Sequence, residues 1–107
     1  MQINHYSKIV NKVVAGAYLD GLRIGQASMI LDDKPTAKTA ALIEDVIVDK
    51  EHRKQGVGKQ LIGYLLEYAQ CERCYKAVLQ CNDDNVEFYE KCGFHKHENG
   101  MRIDLEE

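Results

Sequence analysis

The fold of this chain is restricted most by a change of hydrophobic pattern that occurs across a short loop with two glycines. Residues 41–48 have the composition of a strand and carry two acidic residues in its middle. After the basic connection of residues 50–55, apolar residues recur at helical spacing, at Val57, Leu61, Ile62, Leu65, Leu66 and Ala69. A strand, a glycine loop and an amphipathic helix in this order indicate a layered α/β domain, in which helices pack on a sheet.

The segments on either side of this unit predict further strands and a second helix. Residues 13–19 and 22–31 flank Asp20-Gly21, and this dipeptide predicts a hairpin because both turn positions need positive φ. After the long helix we expect a strand at 76–81, a helix at 86–92, and closing strands at 94–97 and 101–105. The predicted order is β-β-β-α-β-α-β-β, and 107 residues suit one domain over residues 1–107.

Charge and cysteine content argue against several classes of function. The chain carries 14 Lys and Arg against 17 Asp and Glu, a net charge of -3, which argues against a general nucleic-acid binder. No apolar run approaches the roughly 20 residues of a membrane span, and no secretory signal is visible, so we expect a cytoplasmic protein. Cys71 and Cys74 form one C-x-x-C, but no second pair completes a zinc site, so we predict reduced thiols and no metal.

The loop Arg53-Lys54-Gln55-Gly56-Val57-Gly58 is suited to holding phosphate. Its glycines let the backbone approach a ligand, and the helix N-terminus supplies free N–H groups. The basic side chains of the loop, together with Lys59, add positive charge. Two well-known phosphate loops do not fit, because a P-loop needs Ser or Thr where Gln60 stands and a dinucleotide-binding loop needs glycine where Leu61 stands.

The same loop resembles the signature of the GNAT family of N-acetyltransferases, which is Arg or Gln, two residues, Gly, any residue, then Gly or Ala. Arg53, Gly56 and Gly58 match this signature between a strand and a helix. The chain is further similar to the eukaryotic-type glucosamine 6-phosphate N-acetyltransferases of that family, at residues 43–49, 58–62, 74–76 and 85–94. The resemblance implies a GNAT-like mixed central sheet and an acetyl-CoA-dependent acyltransferase. It also implies glucosamine 6-phosphate as the acceptor and a place in amino-sugar metabolism.

The resemblance implies roles for individual residues in the direct transfer of an acetyl group to a neutral amine. The backbone of residues 45–48 pairs with the pantetheine arm of acetyl-CoA, and the Val46 N–H donates to the thioester carbonyl. Tyr89 matches the tyrosine that protonates or stabilises the departing thiolate, although its spacing alone favours a core residue. Glu44 and Asp45 match the acidic pair beside the acceptor amine. The implied cofactor-binding residues are Val46, Ile47, Val48, Arg53, Lys54, Gln55, Gly56, Val57, Gly58, Lys59, Asn85, Phe88 and Tyr89.

The residues implied in acceptor binding include departures from the family pattern. They are Glu44, Asp45, Tyr75, Lys76, Gln80 and Arg102. The family has an acidic residue where Gln80 stands and an arginine where Asp104 stands, and Arg102 is expected on the same strand face as Asp104. A polyamine or a protein N-terminus is therefore an alternative acceptor. An acyl-CoA-binding module without turnover is the alternative outside the enzymes.

Three further expectations concern the chain start, the assembly and the cysteines. The family has N-terminal helices, whereas this sequence begins near the first long strand. Family members often dimerise through the last strand, so we expect a homodimer. Direct transfer needs no cysteine nucleophile, so Cys81 and Cys92 are expected to pack in the core.

Overall fold

The computed structural model describes residue 2 and residues 11–106, which form a mixed four-stranded sheet with two helices. The strands are β1 (Lys12–Leu19), β2 (Leu22–Asp33), β3 (Thr39–Val48) and β4 (Lys76–Val78). The helices are α1 (Val57–Cys71) and α2 (Val86–Lys91), and single 3₁₀ turns lie at Lys50–His52 and Asp83–Asn85. The spatial order is β1-β2-β3-β4, with β1 and β3 antiparallel to β2 and β4 parallel to β3. The expected layered α/β arrangement is confirmed for these elements.

The first hairpin forms where the sequence predicts it. Asp20 and Gly21 both have positive φ, 51° and 80°, as a two-residue turn between right-twisted strands requires. This turn aligns β1 with β2 from Leu19–Leu22 to Lys12–Ile30.

The core lies between α1 and one face of the sheet. Leu61, Ile62, Leu65 and Ala69 of α1 are buried, so the predicted apolar face of the helix is confirmed. They pack in one cluster with small and medium side chains of the sheet, including Ala15, Ala27, Met29, Ala41 and Ile43. Small alanines on the strands let the helix approach the sheet closely. Within the described part of the chain, no helix is long and apolar enough to cross a bilayer.

The middle of β3 departs from regular pairing on both of its edges. Towards β2, the register shifts between Gln26, which pairs with Ile47, and Ser28, which pairs with Glu44, so β3 carries an extra residue there. Asp45, inside this bulge, has a φ of 54°. Towards β4, pairing stops after Leu42, so the edge of β3 from Ile43 onwards has no strand beside it in the described structure. The two strands thus leave an opening between them.

The two predicted closing strands are wrong. Residues 94–106 form no strand, and β4 ends at Val78 rather than at Cys81. Met101, Ile103 and Leu105 keep the alternating apolar pattern of a strand, yet they are 90%, 81% and 88% exposed. A strand requires a neighbouring ladder of N–H and C=O groups, and the three residues of β4 offer only a short one.

Candidate active site

A cleft of about 250 Å³ opens where β3 and the segment after β4 separate. Its lining joins the middle of β3 to the segment that follows β4 and to the start of α2: Ile43, Glu44, Asp45, Val46, Leu79, Gln80, Cys81, Asn82, Asn85 and Tyr89. Six of these ten residues belong to the sets expected from the sequence. The Glu44 and Asp45 residues are both exposed, whereas Tyr89 is half-buried. The structure therefore brings two carboxylates and a phenol to one opening.

Tyr89 is held by aromatic packing. Its ring centroid lies 4.9 Å from that of Phe88 and 6.1 Å from that of Phe94, both in edge-to-face arrangements. The Tyr89 carbonyl accepts backbone hydrogen bonds from Cys92 and Phe94, each at 3.0 Å, which end the helix. Gly93, with a φ of 102°, makes the left-handed step that allows this ending. Burial raises the pKa of the Tyr89 phenol, and negative charge on Cys81 or Cys92 would raise that pKa further.

The glycine loop places an uncapped helix end beside the end of β3. Gly56 precedes α1 in a left-handed conformation, with a φ of 83°, and supplies no side chain to cap the helix. The α1 ladder begins with the Gln60 N–H, which donates to the Gly56 carbonyl at 3.0 Å. The Arg53 Nε donates to the Val48 carbonyl at 3.0 Å and so fixes the loop to β3. A helix N-terminus with free N–H groups and nearby cations is a site for phosphate oxygens.

Gly58 allows α2 to approach the start of α1. A Cβ at this position would lie 3.1 Å from the Phe88 Cζ and 3.8 Å from a methyl of Val48. Phe88 thus packs directly on the helix N-terminus, and Tyr89 follows it in the chain. The loop, the end of β3 and α2 are therefore one connected unit.

Three residues expected at the acceptor lie outside the cleft. Tyr75 and Lys76 line a separate depression of about 230 Å³ next to the end of α1. Lys38 and Lys76 place their ammonium groups 5.3 and 5.2 Å from the centroid of the Tyr75 ring. The Arg102 guanidinium bonds to the Asp104 carboxylate through Nε and Nη2, each at 2.7 Å, on the exposed C-terminal segment. None of these three cationic residues is among those that line the cleft.

Sequence reasoning missed four of the residues that line the cleft, which are Ile43, Leu79, Cys81 and Asn82. The expectation that Cys81 packs in the core is wrong, since this residue is exposed, whereas Cys92 is half-buried against the core. The signal for Cys81 was its position directly before the helix-capping segment 82–84, where a chain leaves a sheet.

One further group of ligating side chains lies outside the cleft. Asp49, Glu51 and His52 each place a ligand atom within 4.8 Å of the others. The two carboxylates are exposed, and acidic groups on an exposed turn come this close without an ion, so we assign no metal to them.

Comparison with known proteins places the chain among acetyltransferases. The sequence model of the acetyltransferase (GNAT) family matches residues 4–94. The glucosamine 6-phosphate N-acetyltransferase of Trypanosoma brucei brucei is 42% identical over 87 residues, covering 79% of this chain and 59% of that protein. The protein of the same name from Schizosaccharomyces pombe is 39% identical, covering 65% of each chain. The chain therefore spans less than two thirds of the length of these curated relatives.

Solved structures give the same result for the fold. The crystal structure of glucosamine-6-phosphate N-acetyltransferase from Arabidopsis thaliana superposes with a TM-score of 0.85 at 28% identity, over 89% of this chain and 67% of that one. An acetyltransferase of Trypanosoma brucei gives a TM-score of 0.82 at 37% identity, over 88% and 69%. The mixed sheet with helices between its strands is the fold of these proteins.

Proposed function

Because this chain belongs to the GNAT family of acetyltransferases, we propose that it transfers the acetyl group of acetyl-CoA directly to a small primary amine, glucosamine 6-phosphate. The product is N-acetylglucosamine 6-phosphate. The observation that carries this proposal is the cleft itself, in which the unpaired edge of β3 meets Tyr89 beside the uncapped start of α1. The curated relatives bear the name of this activity.

The residues present fit acetyl-CoA in two places. In the part of the chain that the structure describes, the edge of β3 from Ile43 to Ile47 has no strand beside it, and its backbone groups are available to an extended chain, as an added strand would use them. The N–H groups at the start of α1, with Arg53, Lys54 and Lys59 nearby, suit the pyrophosphate. When bound, acetyl-CoA supplies an acetyl group activated as a thioester. Gly58 places no side chain at the start of α1, so Phe88 and the loop backbone form the wall of this pyrophosphate position.

Three groups of the cleft have separate roles in the reaction: one accepts protons, one stabilises negative charge and one donates a proton. The acceptor amine must lose one proton to become nucleophilic and a second proton once its nitrogen has bonded to the acetyl carbon, and the Glu44 and Asp45 carboxylates accept these protons directly or through water. The Val46 N–H, in the bulge of β3, donates to the oxygen on which negative charge develops. The Tyr89 phenol donates its proton to the leaving thiolate. Since burial raises its pKa, this phenol is protonated at neutral pH and is a donor rather than a base.

The phosphate of the acceptor needs cations that the cleft lining lacks. No Lys or Arg is among the ten lining residues, whereas Lys38 and Lys76 flank the Tyr75 ring outside the cleft. We propose that a second copy of the chain brings this basic group, or Arg102, to the acceptor in a homodimer. The exposed apolar residues Met101 and Ile103 give such a dimer a contact surface. Sedimentation velocity tests the assembly, and a species of 12.2 kDa at working concentrations would exclude it.

The activity is tested by mass spectrometry of reactions with acetyl-CoA and either glucosamine 6-phosphate, glucosamine or spermidine. We expect product from the phosphosugar. The acidic cleft without a lining cation favours a polyamine as the second candidate, and product from spermidine alone would establish that alternative. Acetyl-CoA binding without product from any acceptor would leave a binding module. Four free cysteines suit a reducing compartment, and we place the activity in the cytoplasm.

A further inference from the structure

Ser28 of β2 is the one polar residue that is buried in the part of the chain the structure describes. Its exposed fraction is 3%, and its neighbours Ala27 and Met29 are fully buried. Small buried residues elsewhere in the sheet, such as Ala15 and Ala41, are alanines, so packing alone does not require a hydroxyl here. A buried hydroxyl costs free energy unless it has a hydrogen-bond partner. The partner of the Ser28 hydroxyl therefore indicates what this serine does.

That partner lies in the bulge of β3. The Ser28 Oγ donates to the backbone carbonyl of Glu44 at 3.1 Å. The two residues are paired at the position where the register between β2 and β3 shifts, so the bond lies at one end of the bulge. Among the residues that the structure describes, no other side chain bonds to the backbone of residues 44–46. The hydroxyl is thus a side-chain restraint on the bulge.

The bonded carbonyl belongs to the peptide unit that leads into Asp45. Because a peptide unit is planar, a restraint on the Glu44 carbonyl oxygen also orients the Asp45 N–H. Asp45 has a φ of 54°, and a residue other than glycine keeps such a conformation only where its surroundings determine it. The dihedral angles of Asp45 set the direction of its carboxylate and of the Val46 N–H that follows. Ser28 therefore acts on two residues of the cleft lining without lining the cleft itself.

We propose that Ser28 is a positioning residue for acetyl transfer, whose hydroxyl holds the bulge of β3 so that the Asp45 carboxylate and the Val46 N–H are directed at the reacting groups. This inference rests on the proposed function and adds a residue that acts through the backbone of β3. A small misplacement of such groups slows the chemical step strongly. The pyrophosphate position at the start of α1 does not depend on this bond, so acetyl-CoA binding should be retained.

The test compares Ser28→Thr with Ser28→Val, because these two side chains have the same shape and only threonine keeps the hydroxyl. Any crowding by the added methyl group is common to both variants. With the acceptor that wild type acetylates, we expect kcat and kcat/KM for that acceptor to be about 10-fold lower in Ser28→Val than in Ser28→Thr. Calorimetric titration with acetyl-CoA should give both variants the same affinity, and its stoichiometry measures the folded fraction of each.

A second measurement reports the bulge without turnover. The three-bond coupling between the amide and α protons of Asp45 depends on its φ. We expect this coupling to keep its wild-type value in Ser28→Thr and to change in Ser28→Val. Thr39→Val is the matched control, because the Thr39 hydroxyl donates to the Asp33 carboxylate at 2.8 Å, at the other end of the same strand pair. This control should alter neither kcat nor the Asp45 coupling.

The outcomes separate this inference from the proposed function. If wild type acetylates an acceptor and the Thr and Val variants of Ser28 have equal kcat, the role of Ser28 is overturned and acetyl transfer stands. A lower kcat in Ser28→Val with an unchanged Asp45 coupling also overturns it, since the hydroxyl would then not act through the bulge. If wild type acetylates neither glucosamine 6-phosphate nor spermidine, the proposed function fails and this inference fails with it.

Discussion

Replacing Tyr89 with phenylalanine removes one oxygen from the cleft and keeps the ring that the surrounding aromatics hold. The ring centroids of Phe88 and Phe94, at 4.9 and 6.1 Å, are contacts that phenylalanine also makes. Folding stability should therefore change by less than about 1 kcal/mol. If the phenol is the acid that protonates the leaving thiolate, kcat should fall by about 10- to 100-fold, which is a barrier increase of about 1.4 to 2.7 kcal/mol.

The pKa of the phenol decides the form of the pH profile in this experiment. Burial raises this pKa above that of free tyrosine, so the donor is fully protonated across the neutral range. The wild-type rate should consequently show no loss from Tyr89 below about pH 9. Tyr89→Phe should lower kcat by a constant factor over that range.

The assay measures acetylated product by mass spectrometry, acetyl-CoA affinity by calorimetry and the melting temperature. Tyr64→Phe is the matched control, since Tyr64 is 59% exposed on α1 and lies outside the cleft. An unchanged kcat in Tyr89→Phe, with affinity and melting temperature also unchanged, would refute the role of the phenol as acid. A fall in affinity that accounts for the whole loss of kcat/KM would refute it as well, because the residue would then only bind.

Two further predictions follow from the packing of the same region. Gly58→Ala places a methyl 3.1 Å from the Phe88 Cζ, so the Phe88 ring must shift, and we expect a lower acetyl-CoA affinity by isothermal titration. Exposed Gly63 has nothing within 4 Å of its Cβ position, so Gly63→Ala should raise the free energy of unfolding by about 1 kcal/mol and leave this affinity unchanged. Burial raises the pKa of the Cys92 thiol. The neutral thiol therefore contributes to the free energy of unfolding at neutral pH, and this contribution is lost as pH rises through the folded-state pKa, above about 8.5. Chemical denaturation between pH 7 and 10 should show this decline, and Cys92→Ala should make it shallower; an equal slope in both proteins would contradict the assignment.

Local patterns were sufficient for the parts of the fold that local physics determines. The Asp20-Gly21 turn and the apolar face of α1 depend on residues close in sequence, and both form where predicted. The closing strands depend on a partner ladder distant in sequence. Residues 101–105 have the alternating pattern, but strand pairing beside β4 stops at Val78, so the pattern alone gave the wrong structure. The position of Lys76, beside the Tyr75 ring, also depends on pairing between strands distant in sequence. Parallel pairing with β3 places Lys76 opposite Ala40 rather than opposite Glu44.

The position of the acidic pair follows from backbone geometry that the sequence pattern does not predict. Successive residues of a regular strand point to opposite faces, so Glu44 and Asp45 should not line the same cleft. They do so because β3 has an extra residue here and Asp45 takes a φ of 54°. Asp and Asn tolerate this left-handed conformation better than most residues, so the side chain that supplies the carboxylate also suits the bulge. The same bulge interrupts pairing with β2 around Val46, and one backbone distortion thus arranges both the acids and the proposed N–H donor.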